Sequence, residues 1–130
     1  MGRVLLSACA LVTAQAGFFA APAAFFPALA ADTARGKQLY ESVCGGCHTM
    51  DANRAGPAHR GVYGRRAGRA PGFDYSPAVK SSKITWNEKT LDRWLADPEK
   101  LIPGQKMAIS VPEAKDRADL IQYLKEESRR

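Results

Sequence analysis

The chain has 130 residues, of which 45% are hydrophobic and 25% charged. This is the composition of one globular domain, and it excludes a wholly disordered protein. The net charge of +6 comes from 19 Lys and Arg against 13 Asp and Glu. That balance fits an acidic protein partner, a membrane surface or nucleic acid, and does not choose among them. The 3 cysteines, an odd number, argue against a fold held together purely by disulfides.

The N-terminal segment differs from the rest of the chain in composition. After Arg3 no charged residue occurs until Asp32, and Ala28-Leu29-Ala30 has the small-x-small pattern of a cleavage site. We therefore expect residues 1–30 to be a secretory signal peptide and residues 31–130 to be the mature domain. Export predicts the periplasm, an oxidising compartment.

Two other interpretations of this segment stay open. It is long enough to span a bilayer as an uncleaved anchor, although Pro22 and Pro27 argue against that. Leu6-Ser7-Ala8-Cys9 also resembles a lipoprotein box, but the apolar run continues well past Cys9. Cleavage after Ala30 agrees best with the pattern.

Helices joined by long loops are predicted for the mature domain. Residues 32–43 form the first helix, and residues 49–75 are loop because glycine and proline recur throughout them. Ser76-Pro77 begins a short helix that ends at Ser81, and Asn87 caps a helix that carries Leu91, Trp94 and Leu95. Asp97-Pro98 ends that helix and caps another short turn.

The last predicted helix starts at Pro112 and runs to about Ser128. Its apolar stripe consists of Ala114, Ala118, Ile121 and Leu124, flanked by Leu120 and Tyr123. No alternating strand of useful length and no repeat is present, so the fold class is all-α. So long a structureless loop is unusual in a small domain, and it suggests that something other than side chains fills the core.

The chemistry is concentrated in Cys44-Gly45-Gly46-Cys47-His48. A local disulfide or a thioredoxin-like pair would belong in a βαβ pattern, which is absent. Zinc would need a second pair of ligands, and only His59 remains. Covalent attachment of one c-type haem fits best, since two thiols one helical turn apart reach both vinyl groups and His48 then falls beneath the iron.

The iron then has either a sixth ligand or an open site. Met1 leaves with the signal, and Met50 is too close to His48 to cross to the other face of the ring. Met107 follows a Pro103-Gly104 turn far along the chain and is the leading candidate. His59 is its only rival.

Further motifs occur in a fixed order outside the attachment site. They are Gly36 and Tyr40, Gly56-Pro57, Gly61-Val62-Tyr63-Gly64-Arg65, Gly72-Phe73-Asp74-Tyr75, Ile84-Thr85-Trp86, Ile102-Pro103-Gly104-Gln105-Lys106-Met107 and Arg117-Ala118-Asp119-Leu120-Ile121-x-Tyr123-Leu124. With these motifs the chain resembles a class I cytochrome c, similar to the soluble, mitochondrial-like carriers of bacteria, over nearly all of residues 32–128. The resemblance implies the cytochrome c fold, with about four or five helices wrapped around one covalently attached haem.

The resemblance also implies roles for individual residues. Pro57 presents its carbonyl to the outer nitrogen of His48 and fixes the tautomer of the imidazole. Arg65, Tyr75 and Trp86 hydrogen-bond the haem propionates, which are costly to bury without donors. Gly36 and Tyr40 pack against Leu120 and Tyr123 where the first and last helices cross.

The chain departs from the family pattern at a few positions. His59 stands where the family has Leu, and we expect its ring to be displaced or exposed rather than a ligand. Trp94 stands where a tyrosine often lies near the methionine sulfur, and Ile109 replaces an aromatic residue. These changes affect packing and partner contact but leave the attachment motif intact.

These observations predict an electron carrier with His48 and Met107 as axial ligands, and not an enzyme, because no coordination site is open for a small-molecule substrate. Expected partners are a cytochrome bc-type complex, a terminal oxidase or a periplasmic dehydrogenase, without nucleic acid, and with membrane contact only through partners if the signal is cleaved. We expect a monomer. The alternatives are a haem sensor or peroxidase-like protein with a labile Met107, and a dedicated cytochrome subunit of a periplasmic dehydrogenase.

Overall fold

The structure, a computed structural model, describes residues 30–130, and the predicted signal peptide otherwise lies outside this range. Within residues 30–130 five α-helices follow one another: α1 (Thr33–Leu39), α2 (Pro77–Ser81), α3 (Glu88–Ala96), α4 (Pro98–Leu101) and α5 (Ala114–Glu127). After α1 the chain continues as a π-helical segment, Tyr40–Cys44. Between residues 30 and 130 there is no strand, only one isolated bridge between Arg66 and Thr85. The predicted all-α class is confirmed.

Side-chain caps set the N-termini of the three middle helices. Ser76 accepts a hydrogen bond from the Val79 N–H, with Pro77 at the first helical position of α2. Asn87 and Thr90 form a reciprocal capping box at the start of α3. Asp97 ends α3 and accepts from the Lys100 N–H at 3.0 Å, which begins α4. All three boundaries were predicted from the sequence, because capping depends on neighbouring residues alone.

Helices α1 and α5 cross with their backbones in contact. A Cβ at Gly36 would lie 2.1 Å from the Asp119 carbonyl oxygen, so only glycine permits this approach. Tyr40 packs on Tyr123 beside the crossing, with ring centroids 5.4 Å apart. The predicted packing of the first helix on the last is therefore present.

The prediction for α5 was wrong in two respects. The helix begins at Ala114, two residues after Pro112, with Glu113 as its N-cap. Ala114 and Ala118 are exposed, whereas Asp119 is fully buried. Asp119 accepts hydrogen bonds from the Asp32 N–H and from Lys115, at 2.7 and 2.9 Å, so the buried face of the helix includes a satisfied charge that the predicted apolar stripe did not contain.

The long glycine-rich loop is held by contacts with distant segments. Ala67 donates to the Ile84 carbonyl and Trp86 to the Arg65 carbonyl, at 2.8 and 2.9 Å. At Gly68, φ is +72° and a Cβ would lie 2.7 Å from the Val79 carbonyl oxygen, so the close approach to α2 requires glycine. None of the helices described here has the length and apolar character needed to cross a membrane.

Candidate haem site

Cys44, the first cysteine of the attachment motif, ends the π-helical segment, and Cys47 lies in the turn that follows. His48 and Cys47 both donate their N–H to the Cys44 carbonyl, at 2.9 and 3.1 Å, so the thiols are one turn apart. Both thiols are free, with Cys44 half-buried and Cys47 exposed. Burial raises the pKa of Cys44 to about 11, which makes it a poor thiolate and argues against a thioredoxin-like exchange site.

His48 is oriented by the carbonyl predicted for that role. Its Nδ1 lies 2.8 Å from the Pro57 oxygen. Because a carbonyl only accepts hydrogen bonds, Nδ1 carries the proton and Nε2 keeps the free lone pair that a metal requires. Burial lowers the pKa of His48, although the hydrogen bond to Pro57 opposes the shift. The neutral imidazole is therefore the form present at neutral pH.

Gly56 brings the backbone directly against the His48 ring. A Cβ at Gly56 would lie 2.2 Å from Cε1 and 2.6 Å from both ring nitrogens of His48. Any side chain at this position would push the imidazole out of place. The close approach fits a ring held in one orientation.

His59 is not displaced or exposed as we expected from the sequence. Its ring is half-buried and stacks on the His48 ring, with centroids 4.0 Å apart and planes inclined by 19°. Its Nδ1 is fully buried without a hydrogen-bond partner, and Tyr40 meets the ring edge-on at 5.6 Å. Aromatic packing against two neighbours outweighs the tendency of a polar ring to reach solvent.

Met107 lies at the end of the predicted turn and packs in part against the hydrophobic core. Gly104 has φ of +86°, and the Gln105 N–H donates to the Ile102 carbonyl at 3.2 Å, which closes a turn with Pro103 and Gly104 at its centre. Trp94 is partly buried and contacts Trp86, with ring centroids 5.3 Å apart.

The three residues expected to bind the propionates differ in their surroundings. Arg65 is half-buried and donates to the Ala58 and Arg60 carbonyls, both at 2.9 Å. Tyr75 accepts from the Ala70 N–H at 3.2 Å through its hydroxyl oxygen, so its own O–H proton stays available. Trp86 is buried in the core.

Two polar contacts near the site were missed by sequence reasoning. Asn53 donates to the Pro71 carbonyl and accepts from the Ala58 N–H, both at 2.9 Å, and thus ties two parts of the long loop together. Glu99 accepts from the Gly104 N–H at 2.9 Å and braces the methionine turn. An exposed Asn or Glu carries no periodic signal, so only the three-dimensional structure identifies these roles.

The residues present fit a covalently held haem. Two free thiols one turn apart precede an imidazole with Nε2 free, and a thioether lies on a separate loop. Arg65 is a half-buried cation that pairs with no carboxylate among residues 30–130, so an anionic group such as a propionate would complete its surroundings.

Comparisons with known proteins agree with this site. The family model for cytochrome c matches residues 33–128. A cytochrome c of Euglena viridis is 45% identical over 97 residues, which cover 72% of this chain and 95% of that protein. One from Gibberella zeae is 42% identical over 102 residues, covering 75% and 96% respectively. Among solved structures, cytochrome cH from Methylobacterium extorquens has a TM-score of 0.70 and 40% identity, covering 73% of this chain and 98% of that one.

The helical fold, the attachment motif and these relatives agree with one another. The resemblance to class I cytochromes c is confirmed, and the fold class with it. The chain belongs to the cytochrome c family of electron-transferring haem proteins.

Proposed function

We propose that this protein is a periplasmic single-electron carrier that holds one haem through Cys44 and Cys47, with His48 and Met107 as the axial ligands. The observation that carries the proposal is the hydrogen bond of 2.8 Å between His48 Nδ1 and the Pro57 carbonyl. It leaves Nε2 of His48, next to the two free thiols, as a preoriented metal ligand.

When bound, the haem supplies a one-electron ferric–ferrous couple. The chain contributes by keeping the same two ligands in both oxidation states, which limits reorganisation. A methionine thioether favours ferrous iron, and burial disfavours the more highly charged ferric form, so both effects raise the reduction potential. With both axial positions filled by protein, no small-molecule substrate reaches the metal.

Arg65, Tyr75 and Trp86 are proposed as donors to the propionates. The guanidinium of Arg65 is held by two backbone carbonyls, which fixes its direction without neutralising its charge. Burial lowers the pKa of Arg65, as expected for a cation that lacks an anionic partner. A propionate at this position would remove that penalty.

Residues 1–30 are proposed as a cleaved signal peptide that directs residues 31–130 to the periplasm. In that compartment the carrier would exchange electrons with a cytochrome bc-type complex, a terminal oxidase or a periplasmic dehydrogenase, as a monomer. Edman sequencing of protein released from the periplasm should begin at Ala31. A chain that starts at Met1 and sediments with membranes would instead indicate a retained anchor.

Acid–acetone extraction of the purified protein tests covalent attachment. The red colour should stay with the protein, and it should be lost in a Cys44→Ser, Cys47→Ser double variant. Cys9→Ser is the matched control, because Cys9 lies in the proposed signal peptide, and it should keep the colour. Free haem in the extract of the unmodified protein would contradict the proposal.

A further inference from the structure

The turn that carries Met107 is tied to α4 by one carboxylate. The Gly104 N–H, which points out of the turn, donates to Glu99 Oε1 at 2.9 Å. The Gln105 side-chain amide donates to the second oxygen of Glu99, Oε2, at 3.4 Å. Both carboxylate oxygens of Glu99 therefore contact the turn.

Gln105 extends this link to the methionine. With its Nε2 directed at Glu99, its Oε1 faces the Met107 N–H and accepts a hydrogen bond from it. The donor and acceptor ends of the amide are thus both used, in the only assignment that satisfies both neighbours. A chain of polar contacts runs from Glu99 through Gln105 to the backbone of Met107.

Little else holds this stretch of backbone. Of the amides from Lys106 to Ser110, Met107 is the one that has a hydrogen-bond acceptor within residues 30–130. The next anchor along the chain is the Val111 N–H, which donates to the Leu95 carbonyl at 2.7 Å. Ala108, Ile109 and Ser110 are exposed. The loop is therefore held at its two ends, and Glu99 secures the end at which Met107 lies.

We propose that Glu99 is a positioning residue for Met107, and that it sets how readily an external ligand displaces the methionine from the iron. The inference rests on the proposed role of Met107 as the sixth ligand. Within residues 30–130 Glu99 forms no hydrogen bond with Met107 itself, so it acts through the turn and through Gln105.

Imidazole binding to the ferric holoprotein measures this effect directly. Imidazole competes with Met107, so its apparent affinity reports the free energy that holds the methionine in place. Glu99→Ala should bind imidazole about three- to tenfold more tightly than the unmodified protein, because it loses its solvent-exposed hydrogen bonds with Gly104 and Gln105. Glu99→Gln should have a smaller effect, because its carbonyl still accepts from Gly104 but its NH₂ group cannot accept from Gln105.

Glu88→Ala is the matched control. Glu88 is an exposed glutamate in the first turn of α3, as Glu99 is in α4, and it takes no part in the hydrogen bonds of the methionine turn. The Glu88→Ala protein should bind imidazole as tightly as the unmodified protein does. Gln105→Ala should raise the affinity as Glu99→Ala does, and the double variant should show less than the product of the two effects, because both break the same link.

The near-infrared sulfur-to-iron band separates this inference from the proposed function. If the band is present in the unmodified protein and Glu99→Ala binds imidazole no more tightly than Glu88→Ala, the positioning role of Glu99 is refuted while Met107 ligation stands. If the unmodified ferric protein lacks the band, Met107 ligation itself is refuted, and this inference with it.

Discussion

His59 lies face to face with His48, and their ring centroids are 4.0 Å apart. Burial, together with the positive charges that His48 and Arg65 can carry, lowers the pKa of His59 to about 3. The ring is therefore neutral in the folded protein at any pH near neutrality. A neutral aromatic ring here supports the His48 imidazole without placing a charge beside it.

The depressed pKa predicts how His59 changes stability with pH. Above pH 6.5 the ring is neutral in both the folded and the unfolded chain, so it has no effect. As the pH falls below 6.5, His59 becomes protonated in the unfolded chain, whereas in the folded protein it stays neutral down to about pH 3. The free energy of unfolding should then fall by about 1.4 kcal/mol per pH unit from this group.

His59→Leu should remove that dependence. Relative to the unmodified holoprotein, the variant should gain stability steadily from pH 6.5 downward, as measured by urea unfolding. At neutral pH it should already be more stable by about 1 kcal/mol, because it no longer buries Nδ1 without a partner. His59→Gln is the control, since it loses the titration but keeps a buried polar group. If the free energy of unfolding varied with pH equally in all three proteins, the lowered pKa of His59 would be contradicted.

Gly36 should be intolerant of any side chain. Gly36→Ala places a Cβ 2.1 Å from the Asp119 carbonyl oxygen and 3.0 Å from the Tyr123 Cβ, so α1 and α5 would have to separate. We expect a loss of about 2 kcal/mol in the free energy of unfolding, despite the better helix propensity of alanine. Gly46→Ala is the control, because a Cβ there meets nothing within 4 Å. Equal midpoints of denaturation for the two variants would argue against close contact of the helices.

The accuracy of sequence reasoning here depends on how local each signal is. The caps at Ser76, Asn87 and Asp97 were predicted to the residue, because the capping side chain lies three residues from the N–H that it accepts from. The buried Asp119 was missed, since its partners Asp32 and Arg35 come from the other end of the domain. A hydrophobic periodicity predicts that a charged residue such as Asp119 is exposed. Its burial becomes evident only once α1 is seen to cross α5 at this position.

The candidate site divides in the same way. The attachment motif is contiguous and so could be read directly, and the Pro57 carbonyl followed from the family resemblance. The placement of His59 could not be predicted, because the packing of its ring depends on where His48 and Tyr40 meet in space. The role of Glu99 could not be predicted either, because it depends on the direction of the Gly104 N–H in the turn.

Asp119 predicts an acid-dependent contribution to stability. Burial alone would raise the pKa of Asp119, but the hydrogen bonds from Asp32, Lys115 and Arg35 outweigh it and lower the pKa below its usual value of 3.8. Its contribution is therefore present above pH 3.8 and is lost as the pH falls through the folded pKa. Asp119→Asn should lower the free energy of unfolding by about 1–3 kcal/mol at pH 7 and by less in acid. Urea unfolding at several pH values measures this difference. Asp74→Asn is the control, because Asp74 is exposed, and it should leave the free energy of unfolding unchanged. If Asp119→Asn lowered the free energy of unfolding equally at every pH, the charge of Asp119 would not be the cause.

Lys and Arg side chains that form no ion pair should attract an acidic redox partner more strongly than those that are paired. We expect basic side chains among Arg54, Arg60, Lys100 and Lys106 to dock an acidic patch on a redox partner. Arg60 is paired with Asp51 and lies 3.1 Å from a Glu127 oxygen, so its charge is largely compensated. Arg54, Lys100 and Lys106 are exposed and form no ion pair within the described part of the chain. Electron-transfer rates with an acidic partner should fall as salt is added, since the screening length is about 10 Å at 0.1 M. Lys106→Gln should lower the low-salt rate more than Arg60→Gln, and the opposite order would contradict the assignment.

Met107 decides between an electron carrier and a haem protein with an open site. If its sulfur is the sixth ligand, the ferric protein should be low-spin with the near-infrared sulfur-to-iron band, and the ferrous protein should bind carbon monoxide only very slowly at neutral pH. Met107→Ala should abolish the band, admit external ligands and lower the reduction potential, because the thioether that favours ferrous iron is lost. Met50→Ala is the control and should keep the band, since Met50 lies two residues from His48 and packs against the core. Rapid binding of carbon monoxide by the unmodified protein, or a high-spin ferric spectrum, would overturn the carrier assignment in favour of a sensor or a peroxidase-like protein.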